Sequence, residues 1–441
     1  MTAAQVLALA PDAASAKAGQ GLASARNWAT SGSDGLLLWG ECQGSGSTPY
    51  QTRVELATTA YKCSCPSRKF PCKHVLGLLL LHAVGDAATG AAPDWASAWL
   101  AERSAKAQRD AERAKVPRAS AGDPSANADA AAKRAQTRDD RVAAGLTECD
   151  LWLRDLVRLG LAHAQTQPSR YWYDRAARLV DAQCPGVARR VRALAPVVVS
   201  GAGWESRLLA ALGEIGLLCE AYARRDDLSA PLRADIRRHV GWTQAQEEIA
   251  AKAFDVVDDA WLVTGIRTEE DERLSVRRTW LRGESAQRNA LVLQFAPAGT
   301  PIADPLVAGA RFEGRLVYVE SAAPLRAIVA ARGAFGVSTE PPVAATIDDG
   351  LAAYASAVAG DPWLERFPLI LGDVTPLRSG SGGWFVRDAD GRALPLAREL
   401  HEPYVLHAVA GGRPVVVAGE WDGRAFLPVA VWSGARFTAL G

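Results

Sequence analysis

The feature that most constrains this 441-residue chain is a short cysteine and histidine pattern near its N-terminus. Cys63 and Cys65 are one residue apart, and six residues further on Cys72 and His74 repeat that spacing. Alternate residues of a strand point to the same side, so Cys63 and Cys65 can present both sulfurs to one ion. Four thiolate and imidazole ligands are typical of a closed tetrahedral zinc site, with no position open for substrate. The pattern therefore predicts one structural Zn²⁺ held by these four residues, the alternative being a chance grouping.

The other cysteines and the next histidine are expected to have packing roles. His82 lies among leucines, and it could replace a ligand only if the surrounding helix unwound. Three of the seven cysteines lie within ten residues, which favours a metal site over a disulfide framework. We expect the remaining four cysteines to be unreactive thiols: Cys42, Cys149, Cys184 and Cys219.

Sequence patterns divide the chain into several segments. Strand-like runs alternate with turn residues over 35–65, and an apolar run follows at 75–81, which predicts an antiparallel ribbon packed against a helix. An Ala-rich segment of alternating charge predicts a linker whose flanks, 94–115 and 128–144, are solvated helices. The predicted segments are a zinc-finger domain at 1–84, this charged linker at 85–144, a helical domain at 145–245, a β-rich domain at 246–343, and a helix with a small β-barrel-like domain at 344–441. The predicted fold class is therefore α+β and multidomain.

Charge and hydropathy limit the possible partners. The 50 basic and 49 acidic residues nearly cancel, so the whole chain does not have the basic excess of a typical nucleic-acid-binding protein. No basic residue precedes Lys17, and Pro11 ends the short apolar run before it, so we expect no secretory signal. The longest apolar stretch, at 75–84, is shorter than the ~18 residues of a membrane span. We expect a cytoplasmic protein without a membrane role.

The four-ligand pattern, preceded by strands and followed by an apolar helix, resembles the SWIM zinc finger. This resemblance covers about 35–84 and implies a finger that binds DNA or other proteins. The overall plan, including the motif RTWLRG at 278–283, is similar to a group of bacterial SWIM-domain proteins of unassigned activity. That group is often encoded beside MoxR-type ATPases and von Willebrand factor A proteins, so the resemblance implies a partner of one of these kinds.

The predicted finger also carries a group of cations without any carboxylate between residues 61 and 83. These candidate nucleic-acid or partner contacts are Lys62, Arg68, Lys69 and Lys73. Tyr61 and Phe70 could stack on a base or fill a small core. A competing explanation is that these cations, together with backbone amides, offset the net charge of about −1 of three thiolates around Zn²⁺. Protein contact is favoured over DNA, because no further basic stripe is evident in the sequence.

No common enzyme signature was found. The chain lacks the phosphate-binding loop, the zinc-protease motif HExxH and the nucleophile motif GxSxG. Acidic clusters at 258–259 and 269–272 are better explained as exposed turns, and His401, Glu402 and His407 have no evident nucleophile partner. The predicted function is a non-enzymatic protein-interaction adaptor. DNA binding through the finger is the alternative, and an enzyme with an unrecognised C-terminal site is a remote third.

Overall fold

The structure is a computed structural model that covers most of the chain. It describes all residues except 8, 45–47, 57–59, 68, 116–123, 271–273, 298–299, 301, 303–305, 339, 381, 401 and 441. The side chains of 4, 13, 106–132, 270 and 337 also lie outside the described part. The described residues form a helical bundle and three sheets, which confirms the predicted α+β class.

The N-terminal domain is a five-stranded sheet with helices on both faces. Its elements are α1 (Ala3–Leu7), α2 (Ala13–Gln20), β1 (Trp28–Ser33), β2 (Leu37–Cys42), β3 (Tyr50–Glu55), β4 (Tyr61–Cys63), α3 (Lys73–Ala83), β5 (Ala88–Thr89) and α4 (Asp94–Lys115). The strand order is β4-β3-β2-β1-β5, and only the β1–β5 pair is parallel. The predicted ribbon and helix are confirmed, and β1, β5, α1 and α2 are elements that the sequence patterns did not indicate.

The two faces of this sheet are covered by different helices. On one face, Leu38 and Val54 pack against the buried apolar residues of α3. On the other face, Leu37 and Trp39 pack against the first turns of α4, where Trp99 is buried. The helix at 94–115 is therefore confirmed, but its first turns are packed rather than solvated. Its apolar residues recur at 95, 96, 99 and 100, which places them on one helix face.

The central domain is a helical bundle around one apolar core. Its helices are α5 (Pro124–Leu159), α6 (Leu161–Gln165), α7 (Ser169–Asp181), α8 (Pro185–Arg192), α9 (Leu194–Val197), α10 (Trp204–Ala223) and α11 (Ala230–Val240), and α12 (Gln246–Lys252) follows. Trp172, Leu208 and Tyr222 are among the fully buried residues of the core. Helix α5 runs without interruption across residues 144 and 145, where the sequence patterns predicted the end of a linker.

Two six-stranded sheets form the remainder of the chain. The first contains β6 (Asp255–Glu270), β7 (Leu274–Gly283), β8 (Asn289–Pro297), β9 (Ala310–Tyr318), β10 (Arg326–Arg332) and β11 (Gly336–Val337). Its order is β10-β8-β7-β6-β9-β11, and β10 also pairs with β9, so this sheet curls back on itself. The second comprises β12 (Phe367–Arg378), β13 (Trp384–Arg387), β14 (Ala393–Pro395), β15 (Val415–Trp421), β16 (Phe426–Ser433) and β17 (Arg436–Ala439), with the helices α13 (Ile347–Gly360) and α14 (Pro403–Ala410).

The C-terminal sheet corrects one sequence-based expectation. Its order is β14-β13-β12-β15-β16-β17, and both predicted hairpins are present. The predicted small barrel is not closed, because the described edge strands β14 and β17 do not pair with each other. Ile347 of α13 and Leu406 of α14 belong to the same core as the strands, so helices fill the space that a closed barrel would enclose.

The RTWLRG motif joins the two β-rich domains. Glu420 of β15 is fully buried and accepts hydrogen bonds from Nε of Arg278 at 3.0 Å and from the indole N–H of Trp280 at 2.8 Å. Glu269 pairs with the outer side of the same guanidinium group. The motif therefore supplies a charged contact between domains, in which the buried carboxylate has its partners.

Candidate metal centre

The four predicted zinc ligands lie where β4 ends and α3 begins. Cys63 is the last residue of β4, Cys72 is the N-cap residue of α3, and His74 lies in the first turn of that helix. Cys65 follows the strand rather than lying in it, so the predicted alternation of strand side chains does not place its sulfur. The bend after Cys63 nevertheless brings the Cys65 sulfur to the same place.

The geometry of the four side chains fits a tetrahedral zinc ion. Their ligand atoms all lie within 4.8 Å of one another. Nδ1 of His74 is 3.8 Å from Sγ of Cys63 and 4.0 Å from Sγ of Cys72. Zinc–sulfur bonds of about 2.3 Å and zinc–nitrogen bonds of about 2.0 Å place tetrahedral ligand atoms roughly 3.5 to 3.8 Å apart. The cluster therefore needs only a small contraction to bind one Zn²⁺ through four protein ligands.

Backbone amides surround the three sulfurs. The N–H groups of Cys65, Ser67 and Val75 donate to the sulfurs of Cys63, Cys65 and Cys72, respectively. Three thiolates and Zn²⁺ carry a net charge of about −1, which such donors stabilise. Backbone amides therefore supply part of the charge compensation that was expected from nearby cations and backbone amides together.

Thr52 adds a side-chain donor that the sequence analysis did not identify. It is directly opposite Cys63 in the β3–β4 pair, is fully buried, and its hydroxyl lies 3.2 Å from the Cys63 sulfur. The Tyr50 ring, two residues earlier, packs at 5.1 Å from the His74 imidazole. The sequence pattern predicts strand β3, but only the register of β3 against β4 shows that Thr52 lies beside Cys63.

The three thiols differ in their acidity. The hydrogen bond from Cys72, aided by His74 and Thr52 and opposed by burial, lowers the pKa of Cys63 to about 3. Donation to Cys63, together with burial, raises the pKa of Cys72, and burial raises the pKa of Cys65. Zinc binding requires deprotonated sulfurs, so Cys63 offers a thiolate readily and the other two lose their protons to the metal.

The predicted basic face of the finger is smaller in the structure than in the sequence. Lys69 pairs with Asp12 at 2.6 Å, and this contact lowers the pKa of Asp12 to about 2. Lys62 and Lys73 are exposed and form no ion pair with a described residue, while Arg68 lies outside the described residues. Asp12 precedes an Ala-rich run, which is the position of a helix N-cap. The sequence patterns did not indicate that it also pairs with Lys69.

The two aromatic residues of the finger have different environments. Burial raises the pKa of Tyr61 to about 12, and the nearby charge of Arg277 in β7 opposes that shift. Tyr61 is partly buried against the apolar core of the N-terminal domain, so only part of its ring could stack on a base. Phe70 is 38% exposed and remains accessible.

The remaining candidate residues have structural partners or lie apart. His82 is partly buried in the last turn of α3 and is outside the metal cluster. Asp258 pairs with Arg315 at 2.9 Å, and Asp259 accepts backbone N–H groups from the turn at 285–286. His407 contacts Trp384 at a ring distance of 5.6 Å, and His401 lies outside the described residues.

The thiols of the bundle are also separate from the metal site. Cys149, Cys184 and Cys219 are buried in the bundle core. Burial raises the pKa of Cys184 to about 12, which is consistent with the expected unreactive thiol. Among the described residues, no helix is both long and apolar enough to span a bilayer.

Comparisons with known proteins support this interpretation of the metal site. Residues 50–83 match the family model described as the SWIM zinc finger. Residues 137–240 match the model described as the SWIM-associated four-helix bundle domain. A search of curated proteins and a search of solved structures each gave no match. The chain is therefore a protein with a SWIM zinc finger that binds one structural Zn²⁺, followed by a SWIM-associated four-helix bundle domain.

Proposed function

We propose that this protein is a non-enzymatic adaptor for protein interactions, in which zinc stabilises the N-terminal domain. The observation that carries the proposal is the complete set of four protein ligands, because a saturated zinc ion has no position for substrate or activated water. The metal then contributes folding free energy rather than chemistry.

One of two cavities in the described part of the bundle has room for a side chain of a partner protein. One cavity, beside Cys149 and Trp152, has a volume of about 20 Å³, which holds roughly one water molecule. A second, between α5 and α10, has a volume of about 130 Å³ and can accept one apolar side chain of a partner.

Contacts between domains also support an adaptor. His239 of α11 lies 2.9 Å from the Asp361 carboxylate, and Glu365 pairs with both Arg189 and Arg190 of α8. Together with the buried Glu420, these contacts hold the bundle and the β-rich domains in one arrangement. An adaptor requires such fixed geometry if it is to present two surfaces to partners at the same time.

The alternative is DNA binding through Lys62 and Lys73. Titration of duplex and single-stranded DNA with increasing salt distinguishes the two functions, because phosphate contacts give a steep loss of affinity. We expect DNA binding to be weak. Lys62→Ala and Lys73→Ala should change its affinity no more than Arg26→Ala does, a control at an exposed position. We expect Lys69→Ala to have little effect, since Asp12 already pairs with that lysine.

The protein partner can be tested directly. The resemblance to bacterial SWIM-domain proteins implies a MoxR-type ATPase or a von Willebrand factor A protein, so each is titrated against the full chain by calorimetry. A complex with micromolar or tighter affinity supports the adaptor, whereas absence of a complex together with strong, lysine-dependent DNA binding contradicts it.

A further inference from the structure

Several arginines meet at one end of the bundle, where α5, α10 and α11 come together. Arg225, just after α10, and Arg237 of α11 both pair with Asp139 of α5, the second at 3.3 Å. The hydroxyl of Tyr222 donates to the same carboxylate at 2.8 Å. One carboxylate therefore serves two guanidinium groups at this position.

Arg138 adds a third guanidinium group that forms no ion pair within the described part of the chain. Its Cζ lies 4.6 Å from the centroid of the Trp242 ring, and Cζ of Arg237 lies 5.0 Å from the same centroid. The Nε atom of Arg138 is buried without a hydrogen-bond partner among these residues. Stacking on the indole holds both guanidinium groups in place, so they lose less freedom when they bind an anion.

Two more arginines continue this surface along α5. Arg134 and Arg141 lie four residues before and three residues after Arg138, which places all three on one helix face. Both are exposed and form no ion pair with a described residue. The nearly balanced charge of the whole chain gave no sign of this grouping, which depends on the helical spacing of the three arginines. We name Arg134, Arg138, Arg141, Arg225 and Arg237 the arginine cluster.

A groove between α5 and α10 begins beside the arginine cluster. It is the cavity of about 130 Å³, and Arg225 and Tyr222 line it together with Ala143 and Leu146. An apolar cavity of about 150 Å³ can hold a benzene-sized group. The groove therefore has room for one apolar side chain next to the arginines.

We propose that the arginine cluster and this groove form a docking site for a short acidic segment of a partner protein. Carboxylates of the segment pair with the stacked guanidinium groups, and one apolar side chain enters the groove. This inference rests on the proposed adaptor function and specifies the surface and the chemistry of its partner.

The observations favour an acidic protein segment over a nucleic acid. Asp150 and Glu220 line the same groove, and they would repel a phosphate backbone that continued along it. Trp242 has Arg138, Arg237 and the stacked Tyr222 ring around it, so it offers little free face to a base. A peptide meets neither obstacle, because its acidic residues can be confined to one end.

The test measures the anisotropy of a fluorescein-labelled peptide in which three glutamates precede a leucine. The full-length protein is titrated against this peptide, against the same peptide with glutamine in place of glutamate, and against short single-stranded DNA. The variants are Arg138→Ala, Arg138→Lys and the double variant Arg134→Ala with Arg141→Ala. The matched control is Arg192→Ala, an exposed arginine of the same bundle without an ion pair among the described residues.

We expect Arg138→Ala to weaken peptide binding about tenfold, Arg138→Lys to weaken it less, and Arg192→Ala to leave it unchanged. In the double variant we expect weaker peptide binding with a smaller dependence on salt. Because Arg134 and Arg141 are both exposed, this variant should fold even if Arg138→Ala does not, and the proposal can still be tested. Absence of binding, equal binding of the glutamine peptide, an equal loss in the control, or tighter binding of DNA would each overturn the proposal. The adaptor function would survive these results if the partner complex formed without dependence on the cluster.

Discussion

The indole N–H of Trp363 donates a hydrogen bond of 2.9 Å to the backbone carbonyl oxygen of Glu214. Trp363 lies in the connection between α13 and β12, whereas Glu214 belongs to α10 of the bundle. The ring is only 4% exposed and is part of the bundle core, although it is more than 100 residues away from α11 in the sequence. The C-terminal domain therefore completes the core of the four-helix bundle.

Replacement of Trp363 by alanine should destabilise the bundle strongly. Removal of a buried aromatic side chain leaves a cavity and costs about 3–5 kcal/mol of unfolding free energy. Urea unfolding followed by circular dichroism at 222 nm measures the change. Trp384→Ala is the control, because Trp384 is only partly buried. Equal losses in the two variants would show that Trp363 does not anchor the bundle.

Loss of zinc should unfold the N-terminal domain. We expect one zinc ion per chain by elemental analysis, and Cys72→Ser should abolish binding because it removes a ligand. The matched control is Cys184→Ser, which changes a buried cysteine far from the cluster and should retain the metal. Limited proteolysis should then cleave residues 1–105 of the Cys72 variant much faster than those of the wild type. Equal metal content in both variants would contradict the proposed ligand set.

Thr52 should tune the affinity of the site for zinc. Thr52→Val keeps the buried shape but removes the hydroxyl beside the Cys63 sulfur, and loss of such an outer contact weakens metal affinity by about 10–100-fold. Competition with a chromophoric chelator measures the change. Thr30→Val removes a hydroxyl on the exposed side of the same sheet and should leave affinity unchanged. A wild-type affinity in Thr52→Val would exclude this role of the hydroxyl.

Glu420 should contribute much more to stability than Glu269, although both contact Arg278. Glu420→Ala leaves Arg278 and the indole of Trp280 without a buried acceptor, which costs about 3–5 kcal/mol. Glu269 is half exposed, so Glu269→Ala should cost about 1 kcal/mol or less. Thermal unfolding of the two variants provides the comparison, and similar melting temperatures would contradict the assignment.

Asp361 should make the bundle interface sensitive to acid. Burial by itself raises the pKa of Asp361, but hydrogen bonds from His239 and the charge of Arg238 outweigh that effect and hold the pKa below its ordinary value. Because the pKa is lower in the folded state, this carboxylate stabilises the fold above its unfolded pKa of about 3.9, and the contribution is lost as the pH falls through the folded value.

The acid effect can be isolated with Asp361→Asn. The variant should be less stable than the wild type at neutral pH, and the difference should shrink as the pH falls below about 4. Urea midpoints of the two proteins at matched pH values measure this difference, and zinc loss in acid affects both alike. A difference that stayed constant or grew towards acidic pH would rule out the proposed contribution.

The sequence predicted those parts of the site that depend on local spacing. Cys63, Cys65, Cys72 and His74 lie within twelve residues, so their convergence needed only one bend and the start of a helix. Thr52 could not be found in this way, because its place opposite Cys63 depends on the register of two strands joined by a turn.

Contacts between distant segments were also beyond local patterns. Nothing around Trp363 indicates that its partner is α10, since the contact is fixed only when the bundle and the C-terminal domain pack together. The open C-terminal sheet was missed for a related reason. Hairpin signals identify strands that are neighbours in the sheet. They do not show that α14, through Leu406, packs on the sheet where further strand pairing was expected.

The N-terminal sheet has a practical consequence for dissecting this protein. A fragment that ended at residue 84 would keep every zinc ligand but would lose α4, which leaves Leu37 and Trp39 exposed to water. It would also lose Arg103, which pairs with Glu55 at the end of β3. The shortest fragment that folds and binds zinc should therefore extend past Arg103. Shorter fragments should aggregate through the exposed apolar surface around Trp39.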